Sequence, residues 1–190
     1  PPQPPKMQEV WYAGEKRNGQ RHGTGTTYWQ NGGKQYEGQW KDNDRHGMGK
    51  MYAVDGQMTY HGEFYEDMRY GLGRLYVDAR LSYCGGFVED EREGEGVLYH
   101  EDGSVAYVGN WACDMKHGEG TSYREYDNEI SYTGEYSWGM RHGKGVVMLQ
   151  DSVERTMRCK EWAHGVPSTL AAEMYLFGRF GAYSAQMPIW

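Results

Sequence analysis

Residues 36–52 read YEGQWKDNDRHGMGKMY, and this stretch decides the fold. In YEGQW, the Tyr, Gly and Trp alternate with polar residues, which places all three on one face of a β-strand. The polar residues KDND are typical of a tight turn, and a second strand begins near HGMGK. The stretch therefore predicts a β-hairpin. Its structural residues are Tyr36, Gly38, Trp40, His46, Gly47 and Gly49.

The same pattern occurs six times along the chain. Each unit has a Tyr, a Gly two residues later, and a pair of glycines that begins eleven residues after the Tyr. All three glycine slots hold Gly in every unit. Glycine weakens a strand unless the lack of a Cβ is needed, so we predict that a large aromatic side chain from a neighbouring strand lies across these positions. The six tyrosines are Tyr12, Tyr36, Tyr60, Tyr83, Tyr107 and Tyr132.

The connection between units differs from the turn inside each unit. The distance from the first Gly of the pair to the next Tyr varies from 12 to 14 residues, and NGGKQ, VDGQM and EDGSV supply loop residues there. A chain with 17 Tyr, 7 Trp and 28 Gly favours short strands and tight turns. Two-stranded units in series bury their aromatic residues only against neighbours. The sequence therefore predicts an all-β fold, an elongated single-layer antiparallel β-sheet solenoid.

The stretch YEGQWKDNDRHGMGKMYAVDG resembles the MORN repeat (membrane occupation and recognition nexus), whose pattern is Y-x-G-x-W, a polar turn, then H-G-x-G. The resemblance implies a twisted single-layer sheet with a groove along it. It also implies non-catalytic roles: scaffolding, dimerisation, cytoskeletal or ciliary assembly, and membrane or lipid contact. The six units that resemble the repeat are residues 12–35, 36–59, 60–82, 83–106, 107–131 and 132–157.

A degenerate seventh half-unit is expected at residues 158–166, which would extend the repeat array to residues 12–166. Trp162 and Gly165 keep their slots in it, whereas Arg158 and Lys160 occupy the Tyr slot and the first Gly slot. Residues 1–11 are a Pro-rich arm, and residues 167–190 form a C-terminal tail of different composition.

The tail is predicted to contain a short helix followed by an irregular apolar end. Ser168 or Thr169 would cap the helix at its N-terminus, and Gly178 would end it. Two interpretations stay open: the tail caps the last hairpin, or it anchors the chain to a partner, because its apolar surface exceeds what one cap requires. The residues concerned are Leu170, Met174, Tyr175, Phe177, Phe180, Tyr183, Ile189 and Trp190.

The histidines and glycines of HGxG raise the question of a metal, a phosphate or catalysis. Four His residues precede the Gly pair, but equivalent slots are about 9.5 Å apart in a sheet, so they do not converge on one metal ion. A phosphate loop needs a Lys-Ser/Thr and a helix after the glycines, and neither is present. We therefore expect no metal, cofactor or catalytic site, and we expect His to cap or hydrogen-bond a strand end.

Net charge and cysteine use limit the class of partner. A net charge of −7 argues against sequence-independent binding to nucleic acid. Cys84, Cys113 and Cys159 form no CxxC motif and are expected to be reduced thiols. No apolar run approaches the roughly 20 residues that span a bilayer. An intracellular location is expected, cytoplasmic, cytoskeletal or ciliary, with an organellar one after loss of a targeting peptide as the alternative.

One basic residue recurs just before each HGxG-type slot, and the fold should align these residues into a basic stripe. The stripe either pairs with nearby acids such as Asp42, Asp44, Asp67 and Asp114, or it binds anionic headgroups or an acidic partner segment. The basic stripe consists of Arg21, Arg45, Arg69, Arg92, Lys116 and Arg141.

These patterns predict a non-catalytic scaffold protein that binds protein partners within a larger assembly, or that forms a homo-oligomer. The resemblance to the MORN repeat implies that the assembly is cytoskeletal, ciliary or an organellar complex. The alternative is a peripheral membrane or phosphoinositide-binding adaptor that uses the basic stripe for contact with anionic lipid. The sequence does not identify the partner.

Overall fold

The computed structural model describes residues 11–149, 155–163, 165–167, 173–176 and 183–186. The chain divides into two compact units, residues 1–91 and 92–190. Every element in the described residues is a β-strand, and the strands pair in antiparallel fashion within each unit. The prediction of an all-β, antiparallel repeat fold is confirmed.

The first unit contains a sheet of seven strands in sequence order. Each strand pairs with the one that follows it, so every connection in this sheet is a hairpin. The strands are β1 (Trp11–Arg17), β2 (Gln20–Tyr28), β3 (Lys34–Lys41), β4 (Asp44–Tyr52), β5 (Met58–Tyr65), β6 (Met68–Val77) and β7 (Arg80–Val88).

The second unit continues the same pattern with strands that again pair in sequence order. Its last described strands depart from it, because β13 pairs with β12 on one side and with both β14 and β15 on the other. The strands are β8 (Glu91–Tyr99), β9 (Val105–Ala112), β10 (Met115–Tyr123), β11 (Ile130–Ser137), β12 (Met140–Leu149), β13 (Arg155–Ala163), β14 (Val166–Pro167), β15 (Glu173–Leu176) and β16 (Tyr183–Gln186).

The predicted half-unit is a complete strand whose register differs from the expected one. Trp162 keeps its slot opposite the first Gly of the pair in β12, but Cys159 lies opposite Gly145 where Lys160 was expected. Arg158 and Lys160 are therefore one residue out of the Tyr and Gly slots. Neither slot of β13 holds its usual residue, so no ring-on-glycine contact fixes the register, and β13 accommodates one extra residue as a bulge.

The helix predicted between Ser168 and Gly178 is wrong for the part of that segment that the structure describes. Residues 173–176 form strand β15, which pairs with β13 and with β16. The local apolar pattern suits a helix, but the open edge of β13 offers a row of backbone donors and acceptors, and pairing with that edge decides the conformation. The other residues of the segment lie outside the described part of the chain.

Tight two-residue turns close the hairpins inside the repeats. Asp42 and Asn43 have φ of 51° and 84°, and Glu66 and Asp67 have φ of 49° and 68°. Positive φ at both central residues is the type I′ geometry that matches the twist of paired strands. This geometry explains why the offset from Tyr to the Gly pair is invariant.

The repeat tyrosines form a continuous row of edge-to-face contacts on one face of each sheet, here called the aromatic face. Tyr36 is 1% exposed, and its ring centroid lies 5.0 Å from that of Trp40 and 5.2 Å from that of Phe64. In the second unit, Tyr107 makes the same two contacts with Trp111 and Tyr136, both at 5.3 Å. Each such pair contributes about 0.5–1.5 kcal/mol beyond its buried area.

The glycines have two different structural causes. Gly38 and Gly49 face each other across β3 and β4 beneath the Tyr36 ring, and a Cβ on Gly49 would lie 2.3 Å from the Tyr36 Oη. The prediction that an aromatic ring lies over these slots is confirmed. Gly47, the first of the pair, instead has φ of 60°, so it is required for its backbone conformation.

We predict that Gly49→Ala lowers the free energy of unfolding by about 3 kcal/mol, because the new Cβ overlaps the Tyr36 ring and must displace it. The matched control is Gly56→Ala, at a turn glycine with φ of 88° and open space around it. This control carries backbone strain alone and should cost about 1 kcal/mol. Urea titrations measure both, and equal losses would contradict the ring-on-glycine explanation.

We also predict that stability falls as the pH rises above about 10. Burial raises the pKa of Tyr36, Tyr60, Tyr107 and Tyr136, whereas tyrosines of the unfolded chain ionise near about pH 10. The unfolded state therefore loses phenol protons first, and the free energy of unfolding decreases with pH in this range. Urea midpoints and tyrosinate absorbance measure the effect. Ionisation of every tyrosine near about pH 10 with the fold intact would refute it.

Candidate functional site

Two cations of the basic stripe in the first unit are bound by a carboxylate from the next hairpin turn. Asp67 Oδ1 accepts hydrogen bonds from the Arg45 backbone N–H at 2.8 Å and from its Nε at 3.0 Å. Asp90 Oδ1 does the same for Arg69, at 3.0 and 2.9 Å. In return, the Asp67 N–H donates to the Arg45 carbonyl at 3.1 Å. One Asp therefore connects each hairpin to the preceding one.

These guanidinium groups also lie on the aromatic face. The Arg45 Cζ is 5.2 Å from the Phe64 ring centroid, and the Arg69 Cζ is 5.1 Å from that of Phe87. Arg21 lies closer, 4.2 Å from Trp40. The β3–β4 turn has Asn43 in the position of the Asp, and the Asn43 Oδ1 accepts a hydrogen bond from the Arg21 N–H at 2.9 Å. The cations thus cover the rings and stabilise the sheet through cation–π contact.

The second unit begins in the same way and then changes. Arg92 is bound by Asp114 Oδ1 at 2.9 Å from the backbone N–H and 2.8 Å from Nε. At the next slot, Gly139 takes the place of the Asp: its N–H donates to the Lys116 carbonyl at 2.9 Å, but it has no side chain. Gly165 occupies the corresponding position beside Arg141, at 3.0 Å.

The turns at Gly139 and Gly165 therefore offer no carboxylate to Lys116 and Arg141. In the part of the chain that the structure describes, neither forms an ion pair, in contrast to Arg45, Arg69 and Arg92. Burial lowers the pKa of Lys116, and the nearby Arg141 and Arg92 lower it further. The Lys116 Nζ donates only a long hydrogen bond of 3.4 Å to Ser122 Oγ.

The basic stripe is therefore uneven. The structure brings three of its members into pairs with acids, and two of those acids, Asp67 and Asp114, are ones that the sequence suggested. Asp42 instead contacts Arg17 at 3.3 Å. Whether the stripe binds a ligand stays a prediction, and the cations available for one in the second unit are Lys116 and Arg141.

The histidines of the HGxG slots lie on the strand face opposite the basic stripe, and two of them contact aromatic rings. The His46 ring centroid is 5.3 Å from that of Tyr65, and the His117 ring centroid is 5.2 Å from that of Trp138. The Nδ1 atoms of His22 and His117 are buried without a hydrogen bond, although His22 Nδ1 is 3.4 Å from Asp42 Oδ1. For His46 and His117, ring packing takes the place of the expected hydrogen bond at a strand end, whereas the contact of His22 is with a carboxylate.

Sequence reasoning missed an exposed apolar area on the face opposite the tyrosines of the first unit. Leu72 is 69% exposed and Met48 is 49% exposed. Together with His61, Arg74 and Cys84 they line a shallow depression of about 340 Å³. The signal was present in the sequence, because the residue between the two glycines of HGxG alternates with the buried positions and must face solvent.

A second exposed apolar group surrounds the β11–β12 turn. Trp138 is 53% exposed and has φ of 51°, an unusual conformation for a bulky residue. Met115 and Met140 beside it are 39% and 40% exposed. These side chains adjoin the position where Gly139 replaces the Asp of the other turns.

Three of the C-terminal tail residues singled out in the sequence lie in described strands. Met174 and Tyr175 lie in β15 and Tyr183 lies in β16. The other residues singled out in the tail lie outside the described part of the chain: Leu170, Phe177, Phe180, Ile189 and Trp190. Whether the tail caps the sheet or anchors it to a partner stays a prediction.

The described residues contain no group of three His, Cys, Asp or Glu side chains placed to hold a metal ion. Within them there is also no helix long and apolar enough to cross a bilayer. Cys84 is a free thiol, and Cys113 is exposed.

A comparison with protein families finds one that matches most of the chain. The family model described as MORN repeat matches residues 12–34, 36–58, 60–78, 83–105, 107–124 and 132–151. These segments coincide with the six hairpins that begin at the repeat tyrosines. No curated protein matches the chain.

We predict that Asp67→Ala lowers the free energy of unfolding by about 2 kcal/mol, because the Arg45 N–H and Nε both lose their acceptor. Asp67→Asn should cost about half as much, since Asn43 already accepts a backbone N–H in the equivalent slot. Asp44→Ala removes the same charge from an exposed neighbouring position and should change stability by less than about 0.5 kcal/mol. Thermal and urea unfolding measure all three, and similar losses for Asp67→Ala and Asp44→Ala would disprove the local explanation.

Proposed function

Because this chain belongs to the MORN-repeat family, we propose that it is a non-catalytic structural protein that binds protein partners within a larger assembly. MORN repeats generally mediate protein or lipid interactions, and the family is generally non-enzymatic. The proposal includes an intracellular setting, cytoskeletal or ciliary, which rests on the family resemblance.

The observation that carries the proposal is the exposed apolar area around Leu72 and Met48 in the first unit. The tyrosines and their partners on the aromatic face are almost fully buried, so the stability of the sheet does not require apolar residues on the other face. Apolar side chains grouped beside a shallow depression on such a face are typical of a surface that contacts another protein.

Charge favours a protein over a lipid as the ligand of the first unit. Arg45 and Arg69 are each bound by a carboxylate, so two of the three stripe cations in this unit are already neutralised. The whole chain carries a net charge of −7. An anionic bilayer would have to overcome both effects, because surface attraction depends on unpaired basic residues.

We predict that Leu72→Glu abolishes capture of protein partners while the fold is retained. Glu should be tolerated, because Glu95 and Glu119 occupy the same position between the two glycines in later repeats. The matched control is Val54→Glu at an outer turn, where Val54 is 58% exposed. Affinity purification from native extract with quantitative mass spectrometry measures capture, and circular dichroism checks the fold.

Partners lost with Leu72→Glu and kept with Val54→Glu would support the proposal. Equal recovery with both variants, or no protein recovered specifically by the unmodified chain, would refute it. Flotation with vesicles that contain phosphatidylserine or phosphoinositides tests the membrane alternative. Binding that is lost on replacing Arg21, Arg45 and Arg69 would favour the adaptor function over the scaffold.

A further inference from the structure

The repeat itself shows which group its basic stripe binds. In three hairpin turns, an Asp carboxylate accepts both the backbone N–H and the Nε of the Arg that precedes it by one hairpin: Asp67, Asp90 and Asp114. The distances vary only from 2.8 to 3.0 Å among these six hydrogen bonds. The position is therefore a defined carboxylate slot with one charge-assisted and one backbone donor.

Two consecutive turns of the second unit supply no carboxylate to their slots, and no other described residue fills them. Gly139 and Gly165 keep the backbone hydrogen bond to Lys116 and Arg141, so the turns sit as the Asp-containing turns do. Only the acidic side chain is missing. The two slots are separated by two strand spacings, about 9.6 Å, so one acidic residue does not fill both. Two residues spaced three apart in a polyproline II segment share one face and lie about 9.3 Å apart, which matches this separation.

The surroundings of these slots favour a peptide over other anions. Lys116 lies 4.6 Å from the Tyr107 ring centroid, and Arg141 lies 4.9 Å from that of Tyr132, so the cations are held in place by the aromatic face. Trp138 contacts His117 on the opposite face of the sheet, so the exposed apolar residues of this turn do not line the slots. The group that fills the occupied slots is the carboxylate of a peptide Asp, and the net charge of −7 disfavours an anionic bilayer. An acidic peptide segment is therefore the ligand that these slots fit.

We propose that an acidic segment of a protein partner docks beside the β11–β12 turn and supplies the missing carboxylates to Lys116 and Arg141. This inference rests on the proposed scaffold function and names the chemistry of one partner. The segment is in polyproline II conformation, with Asp or Glu at every third position so that the acidic side chains share one face.

The decisive variant is Gly139→Asp, which fills the first slot from within the chain. Gly139 has φ of 81°, close to the 68° of Asp67, and nothing lies within 4 Å of the position that a Cβ would take, so the substitution should leave the fold intact. The matched control is Gly19→Asp, at a turn glycine with the same φ of 81° and open space around it. Gly19 lies in the β1–β2 turn and follows none of the basic-stripe residues, so its Asp adds equal charge without filling a slot.

The probe is a fluorescently labelled nonapeptide with Asp at every third position and Leu and Gly elsewhere, and its control carries Asn in place of each Asp. Fluorescence anisotropy measures binding to the full chain. We expect the Asp peptide to bind the unmodified chain and Gly19→Asp with similar affinity, and Gly139→Asp at least fivefold more weakly. Lys116→Met should weaken binding similarly. The Asn peptide should bind at least fivefold more weakly to the unmodified chain.

Equal affinity of the Asp peptide for Gly139→Asp and Gly19→Asp would overturn the inference, as would equal binding of the Asn peptide or no binding of the Asp peptide at millimolar concentration. Binding of phosphatidylserine vesicles that is lost in Gly139→Asp, without peptide binding, would assign the slots to a membrane instead. None of these results depends on Leu72. A negative peptide titration therefore does not contradict the partner-capture experiment. A negative capture experiment likewise does not change what the peptide titration shows about the slots.

Discussion

The fold depends on the contact between a Tyr ring and a pair of facing glycines. In the first unit, Tyr36 covers Gly38 and Gly49 on adjacent strands, and any Cβ at Gly49 would overlap the ring. Because both glycines lack a side chain, the Tyr36 ring lies against the backbone. Tyr36 is 1% exposed there and makes edge-to-face contacts with an aromatic ring on either side. A single-layer sheet has no second layer to bury its apolar face. This contact supplies that burial from within the layer, and it also fixes the register of each strand pair.

The contrast between β13 and the earlier strands shows what this contact controls. Where Tyr and Gly are present, the glycines lie opposite each other, as Gly38 and Gly49 do in the first unit and Gly109 and Gly120 do in the second. In β13 the Tyr and Gly slots hold other residues. Trp162 still lies opposite Gly143, but the residues that precede Trp162 are shifted by one position in register. The Trp slot therefore aligns the strand end near the turn, and the Tyr and Gly slots align the remainder.

Most of the fold could be predicted from sequence because its determinants are short-range and repeated. The Tyr-to-Gly offset is set by a type I′ turn, and alternation in YEGQW assigns the buried face directly. The helix expected in the tail failed because the competing partner, the edge of β13, is a tertiary feature that no local pattern reveals. The pairing of the basic stripe was left open for the same reason: whether Arg45 reaches Asp67 depends on the spacing between hairpins. The difference between Asp114 and Gly139 was visible in the sequence, but its meaning required the hydrogen bonds of the occupied slots.

The Asp at the second position of the turn has an evolutionary consequence. Asp and Gly both adopt its positive φ, and their codons differ by one nucleotide, so a turn can exchange one for the other without a strained intermediate. Each exchange moves a hairpin between a state in which its cation is satisfied by its own chain and a state in which the cation is open to another molecule. A lineage can therefore add or remove this contact between hairpins one repeat at a time, while the aromatic row beneath it stays unaltered.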